Sequence, residues 1–245
     1  MFFELLIIFL IILVGGFIQG ASGFGFGLVV MGFLPLFLTI KESTLIVVTL
    51  LLVAALSIIF KVYRSIDLKG IGILIASAMV GRVFSFFFLS TYGEMDSLKK
   101  ILGFFLIGMV IFLLLQKKNT APDQRIHPLI PISLGFSGGF IGGIFAVGGP
   151  FFVFYFLMIY LNEKHKYQAN LQLMTIITSL STITLHGING DFNSNMMIYI
   201  FIGIIGVCIG TSLGMKWFEK LPNHLIKSLA MIIVFIAALN LIILS

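Results

Sequence analysis

Hydrophobic positions come in long unbroken runs, interrupted by short polar or charged breaks. The runs cover about 3–20, 26–40, 43–60, 70–90, 98–116, 129–146, 150–161, 168–187, 196–215 and 225–244. A helix rises 1.5 Å per residue, so a run of about 20 residues crosses roughly 30 Å of hydrocarbon. Most of the runs reach that length and predict transmembrane helices. Two are short, 26–40 and 150–161, and each follows a glycine-rich break. A short apolar helix beside such a break predicts a re-entrant or half-spanning piece.

The pattern repeats. Shifted by 123 positions, GFIQGASGFG (Gly16–Gly25) falls on GFIGGIFAVG (Gly139–Gly148), with identity at five of ten positions. In each half the match follows a long apolar run and precedes a short one. The polar, proline-bearing stretch Gln116–Pro128 separates them. The chain therefore divides into a first transmembrane repeat (1–116), an inter-repeat loop (117–128) and a second transmembrane repeat (129–245). Composition agrees: 60% of residues are hydrophobic and 10% charged, and mean hydropathy is +1.19. Soluble domains are about 25% charged, so lipid is the solvent for most of this chain and no soluble domain is expected. The N-terminus lacks the basic region of a signal peptide and carries Glu4, so it reads as a retained first helix.

Positive charge selects the orientation. If each glycine break lay within one continuous crossing, Lys and Arg would divide 6 to 8 between the two faces. If the pieces before and after each break return to the same side, they divide 11 to 3, with Arg82 left inside a span. The minority face then holds only Lys41, Lys99 and Lys100. This folding makes the halves inverted, the inter-repeat loop cytoplasmic and both termini extracytoplasmic. A re-entrant hairpin and a pair of full crossings give the same sidedness. The expected architecture is an all-α, polytopic membrane protein of two inverted repeats.

The net charge of +6 comes from loop Lys and Arg with no contiguous basic stretch, which argues for anionic lipid headgroups and against nucleic acid. Cys208 is alone. All nine acids lie at segment ends or in loops, so no carboxylate marks a cation site or proton relay inside a span. The four histidines do not cluster, and His186 reads as alone near a helix end. With no catalytic, metal-ligand or cofactor motif present, the chain reads as a non-enzyme without cofactor or metal.

Four features carry candidate chemistry. In the first break, Gly20, Gly23, Gly25 and Gly27 suit a chain leaving helical geometry, with Gln19 and Ser22 beside them. A helix starting near Phe26 would aim its free N–H groups at the break and attract an anion. Alternatively these glycines only pack helices closely, as the Gly16 and Gly20 spacing allows. In the second break, Gly148, Gly149 and Pro150 predict another helix start, because proline suits the first turn; a proline kink is the plainer alternative. Arg82 is the one charge inside a span, and its planar fork suits sulfonate, sulfite or carboxylate oxygens. It lies about eight residues, roughly 12 Å, from the end of its helix, so it could also snorkel. Finally, the run 168–187 has a dense polar set, of which Asn170, Gln172, Thr175 and Ser179 are the candidate lining.

GFIQGASGFGFGLVVMGFLPLF, followed half a chain later by GFSGGFIGGIFAVGGPFFVFYFL, resembles the TauE/SafE family of membrane transporters, also called the sulfite exporter family. The resemblance extends over essentially the whole chain. It implies secondary transport of a small sulfur-containing anion, such as sulfite, sulfoacetate or another organosulfonate, across the cytoplasmic (inner) membrane of a bacterium or archaeon. The partners expected are thus a small anionic solute, the lipid bilayer and, as a candidate coupling ion, a proton. An anion channel and a non-transporting membrane subunit are the rival readings.

Overall fold

The computed structural model describes residues 2–68, 71–115, 127–160, 163–217 and 223–244. Most of the expected inter-repeat loop 117–128 lies outside the described residues, as do Lys69, Lys117, Lys118, Arg125 and Lys220. The chain forms helices α1 (Phe2–Ser22), α2 (Phe26–Phe33), α3 (Ile40–Val62), α4 (Gly72–Tyr92) and α5 (Ser97–Leu115). It continues with α6 (Leu129–Phe145), α7 (Gly149–Ile159), α8 (Lys164–Ile188), α9 (Ser194–Trp217) and α10 (Asn223–Leu244). No strand occurs among the described residues. Each expected apolar run became one helix, and five of the helical stretches are long and apolar enough to cross a membrane. Two boundaries moved for local reasons. Pro35 tightens the chain after α2 into a 3-10 turn, Leu34–Leu36, because it lacks the N–H that would continue the helix. α3 begins earlier than its apolar run, at Ile40, because Thr39 and Glu42 form a capping box that satisfies the first free amides.

Polarity is inside out. Phe60, Phe84, Phe87, Phe104 and Phe201 project outward, whereas Gln19, Arg82, Gln168, Asn170, Gln172 and His186 are buried. Lipid tails are as apolar as leucine, so helices gain little by burying apolar side chains and associate through close backbone approach and hydrogen bonds. Two glycine seams supply that approach. Gly16 and Gly20 of α1 meet Val207 and Thr211 of α9, and Gly210 and Gly214 face back onto Leu13, Phe17 and Ala21. In the other seam, Gly81 of α4 meets Phe136 and Phe140, while Gly139 and Gly143 of α6 meet Ala78 and Ser85. The rising numbers on both sides show that each pair runs in the same direction. Gly20, expected at the break, belongs to the first seam.

Each broken segment is a hairpin. Gly15 packs against Phe26 and Val30, so α2 runs back along α1, and Gly138 packs against Phe151 and Phe152, so α7 runs back along α6. The two hairpins open at opposite ends of the bundle. One end holds the start of α1, with Glu4 bonded to Tyr199, and the start of α3, with Glu42 bonded to Asn193. The other end holds the start of α6, where Pro131 O accepts from Ser77. There too lies the residue after α7, Tyr160, whose hydroxyl reaches Asp67 O.

The first end also holds a partly buried charged cluster. Lys41 Nζ lies 2.7 Å from Asp191 Oδ1, and His186 Nδ1 lies 2.6 Å from Asp191 Oδ2. His186, expected to stand alone, is thus partnered across the α8–α9 turn. Burial alone would push the Asp191 carboxyl up, but hydrogen bonds from Lys41, His186 and Asn189 and the Lys41 charge hold it below the usual carboxylate range.

Gly20→Val should destabilise the fold by about 1–3 kcal/mol through overpacking, since a Cβ there would lie 2.5 Å from Thr211 O. Gly108→Ala, with nothing within 4 Å, should be neutral or stabilise by up to about 1 kcal/mol. Thermal melts in detergent read both. Because the Asp191 pKa is depressed by folding, its contribution is full above the ordinary value of 3.8 and is lost as pH falls through the lower folded value. Asp191→Asn should therefore lower stability by about 1–3 kcal/mol at neutral pH, and the gap to wild type should close on acidification.

Candidate anion site between the two helix breaks

At the first break α1 ends at Ser22, and Gly23 (φ 86°) and Gly25 (φ 105°) turn the chain through left-handed conformations open to glycine without a Cβ penalty. Backbone leaving a helix inside a bilayer needs new partners, and two glutamines supply them. Gly23 O accepts from Gln19 Nε2 at 3.1 Å and from Gln172 Nε2 at 2.9 Å. Gln19 Oε1 accepts from the Phe26 N–H at 3.2 Å, so one side chain spans the break. Ser22 Oγ lies 2.7 Å from both Ile18 O and Phe24 O.

The second break turns elsewhere than at the expected Gly148–Gly149. Ala146 takes the left-handed conformation (φ 54°), the one non-glycine among the described residues to do so. Gly148 is right-handed and is needed for closeness, since a Cβ would collide with Gly138 O. α7 then starts at Gly149 with Pro150 in its first turn. The carbonyls freed at the end of α6 are taken by distant helices: Ile144 O by Thr44 Oγ1 at 2.6 Å, and Gly142 O by Arg82 Nη1 at 2.8 Å.

The breaks touch. Gly27 packs directly on Ala146 O, and Gly149 lies against Phe24. Between them is a cavity of about 40 Å³. Leu51, Arg82 and Thr175 line it from near the middles of α3, α4 and α8, which sets it at mid-depth in the bundle. Of the residues expected from sequence, Gln19, Gly23, Gly25, Gly27, Arg82, Gly148, Gly149, Pro150, Thr175 and Ser179 line it. Gly20, Ser22, Asn170 and Gln172 do not. Gln172 clasps the first break from behind, and Asn170 fixes the α3–α4 connection by accepting from Asp67 N at 3.2 Å. Phe24, Leu28, Leu51, Ala146, Val147, Phe152, Leu171 and Thr178 also line the cavity. Of these, Phe24, Ala146 and Val147 lie within the two glycine-rich motifs, and Thr178 is one turn beyond Thr175 on the polar face; the other four had no signal.

The cavity is electropositive. Arg82 is 5% exposed, so its guanidinium does not snorkel. Nη1 bonds Gly142 O and, at 2.9 Å, Thr182 Oγ1. Nε is buried without a partner, and no carboxylate among the described residues pairs with the charge. Helices α2 and α7 both start at the cavity and add partial positive charge, although Gln19 Oε1 takes the first amide of α2, that of Phe26. A buried cation without a counter-ion is costly. No group of metal-ligating side chains occurs among the described residues.

The comparisons with known proteins agree with a transporter. A probable membrane transporter protein of Methanocaldococcus jannaschii is 24% identical, with 91% of each chain covered. No solved structure gives a significant match. The sequence pattern described as Sulfite exporter TauE/SafE matches residues 8–241, nearly the whole chain, and the protein belongs to that family.

Proposed function

We propose that this protein is a secondary transporter of a small sulfur-containing anion, with sulfite and short organosulfonates as the leading class, working by alternating access at the mid-depth cavity. The observation that carries the reading is Arg82: a cation buried inside a span, without a carboxylate among the described residues, facing a cavity at which two helices start. The volume gives room for about three waters, which suits a compact oxyanion and not a nucleotide. The match to the Sulfite exporter TauE/SafE family supports a sulfur-containing anion as the class to test first.

Repeats 1–116 and 129–245 are inverted in this reading, a relation supported by the hairpins opening at opposite ends and by the matching seams, α1 on α9 and α6 on α4. With Lys and Arg concentrated at the α3–α4 and α7–α8 connections, the positive-inside rule puts that end in the cytoplasm and both termini outside the cytoplasmic membrane. Arg82 on α4 reaches across to α6 and α8 of the other repeat, so rocking of one repeat against the other changes its surroundings.

The test is thermal stabilisation of the purified protein by sulfite, sulfate, thiosulfate, sulfoacetate, taurine, isethionate and acetate. A ligand at about 100 times its Kd stabilises the folded state by about 2.7 kcal/mol. One sulfur oxyanion or sulfonate should raise the melting temperature of wild type. Arg82→Met should abolish the shift, while Arg82→Lys, which keeps the charge and loses the fork, should retain a smaller one. Equal stabilisation of wild type and Arg82→Met would remove Arg82 from the site, and no shift with any anion would sink the assignment.

A further inference from the structure

Asp191, His186 and Lys41 form an ionisable cluster, with His186 buried and the other two partly buried, that the anion site does not use. His186 is 1% exposed, its Nδ1 held by Asp191 and its ring edge-on to Phe86 at 4.9 Å between centroids. One turn back along α8 is Thr182, whose hydroxyl takes Arg82 Nη1. Residues four apart on a helix are neighbours on one face, so Thr182 brings the Arg82 cation and the imidazole together. Thr175, Ser179, Thr182 and His186 continue that face from the cavity to the cluster.

We propose that His186, oriented by Asp191, binds a proton that travels with the anion. The inference rests on the transporter reading above. An ionised carboxylate can only accept, so the imidazole directs Nδ1–H to Asp191 and keeps Nε2 free as a base. A hydronium ion from the acidic side gives up a proton to the Nε2 lone pair: its O–H bond breaks, an N–H bond forms, and a water molecule is left. No bond in the chain breaks, and the cluster changes from neutral, Lys41 against Asp191, to a single positive charge. The charged groups facing His186 are Asp191 from the α8–α9 turn, Lys41 from α3 and Arg82 from α4. Glu42 is engaged with Thr39 and Asn193.

Arg82 makes the two binding events interdependent. An anion beside its guanidinium offsets the repulsion between that cation and an imidazolium, and a protonated His186 adds to the field holding the anion. Linkage makes this coupling reciprocal. A proton can thus be carried without an acid in the cavity itself.

Proteoliposomes of the full chain, with a trapped pH dye, test this with sulfite, isethionate and sulfoacetate. The two sulfonates hold a fixed charge near neutrality, so acid movement with them belongs to the protein. The readout is the ratio of acid-gradient-driven uptake to exchange of labelled against unlabelled anion, a ratio that a merely damaged bundle leaves unchanged. Wild type should show gradient stimulation of roughly tenfold, with acidification of the lumen. His186→Gln should lose the stimulation while exchange, even if slowed, stays measurable, and Asp191→Asn should do the same. Anion flux without acid movement, or equal gradient stimulation in wild type and His186→Gln, would overturn the proton site and leave the transporter standing. No flux or exchange of any of the three anions would overturn both.

Discussion

Backbone that leaves a helix away from water must find a partner for every amide and carbonyl it frees, and the rest of this structure follows from how two such breaks are satisfied. At the first, Gln19 and Gln172 bind Gly23 O, and Gln19 turns its other atom to the Phe26 N–H. At the second, Thr44 and Arg82 take carbonyls at the end of α6. Gln172, Thr44 and Arg82 come from helices outside the hairpins they serve. The hydrogen bonds that make irregular backbone tolerable are therefore also the bonds that assemble α3, α4 and α8 around the breaks.

Glycine has two separate duties here. Gly23 and Gly25 are needed for conformation. Gly16, Gly20, Gly139 and Gly143 are needed for closeness, where a side chain would meet the backbone or a serine of the neighbouring helix. Gly27 and Gly148 are also close-contact positions that line the cavity: Gly27 meets Ala146 O and brings the two breaks together, whereas Gly148 packs on Gly138 and Gly142 within its own hairpin. A motif as dense as GASGFGFG compresses these duties into a few positions, so composition alone could not assign Gly20 to a helix seam and Gly27 to the cavity.

The segmentation was legible because charges and polar residues sit at the ends of apolar runs, and the site was legible in so far as glycine and proline mark where a helix stops. Side-chain partnerships across the bundle were not. Gln19 and Gln172 are 153 residues apart, and Lys41 meets Asp191 across almost as long a separation; nothing local in either sequence names its partner. Ala146 was illegible for another reason: its left-handed turn is imposed by the hairpin around it, next to glycines that invited the opposite assignment. Asn170 and Gln172, expected as lining, lie outside the cavity, where Asn170 accepts from Asp67 N and Gln172 holds Gly23 O and the Gln19 side chain.

The placement of charge gives the proposed mechanism a physical economy. A cavity with its own carboxylate would neutralise Arg82 internally and weaken its hold on an anion. Here the acid nearest in function, Asp191, is kept at the end of α8 and bound to Lys41 and His186, leaving the Arg82 charge for the solute. Thr182, whose hydroxyl accepts from Arg82 and donates to Thr178 O, stands one turn from His186 on α8. Under alternating access, movement of α4 against α6 and α8 would strain the Arg82 bonds to Gly142 and Thr182 together. The anion's counter-charge and the orientation of the α8 polar face would then change in one step, which is what coupling between a solute at mid-depth and a group at the end of the bundle requires.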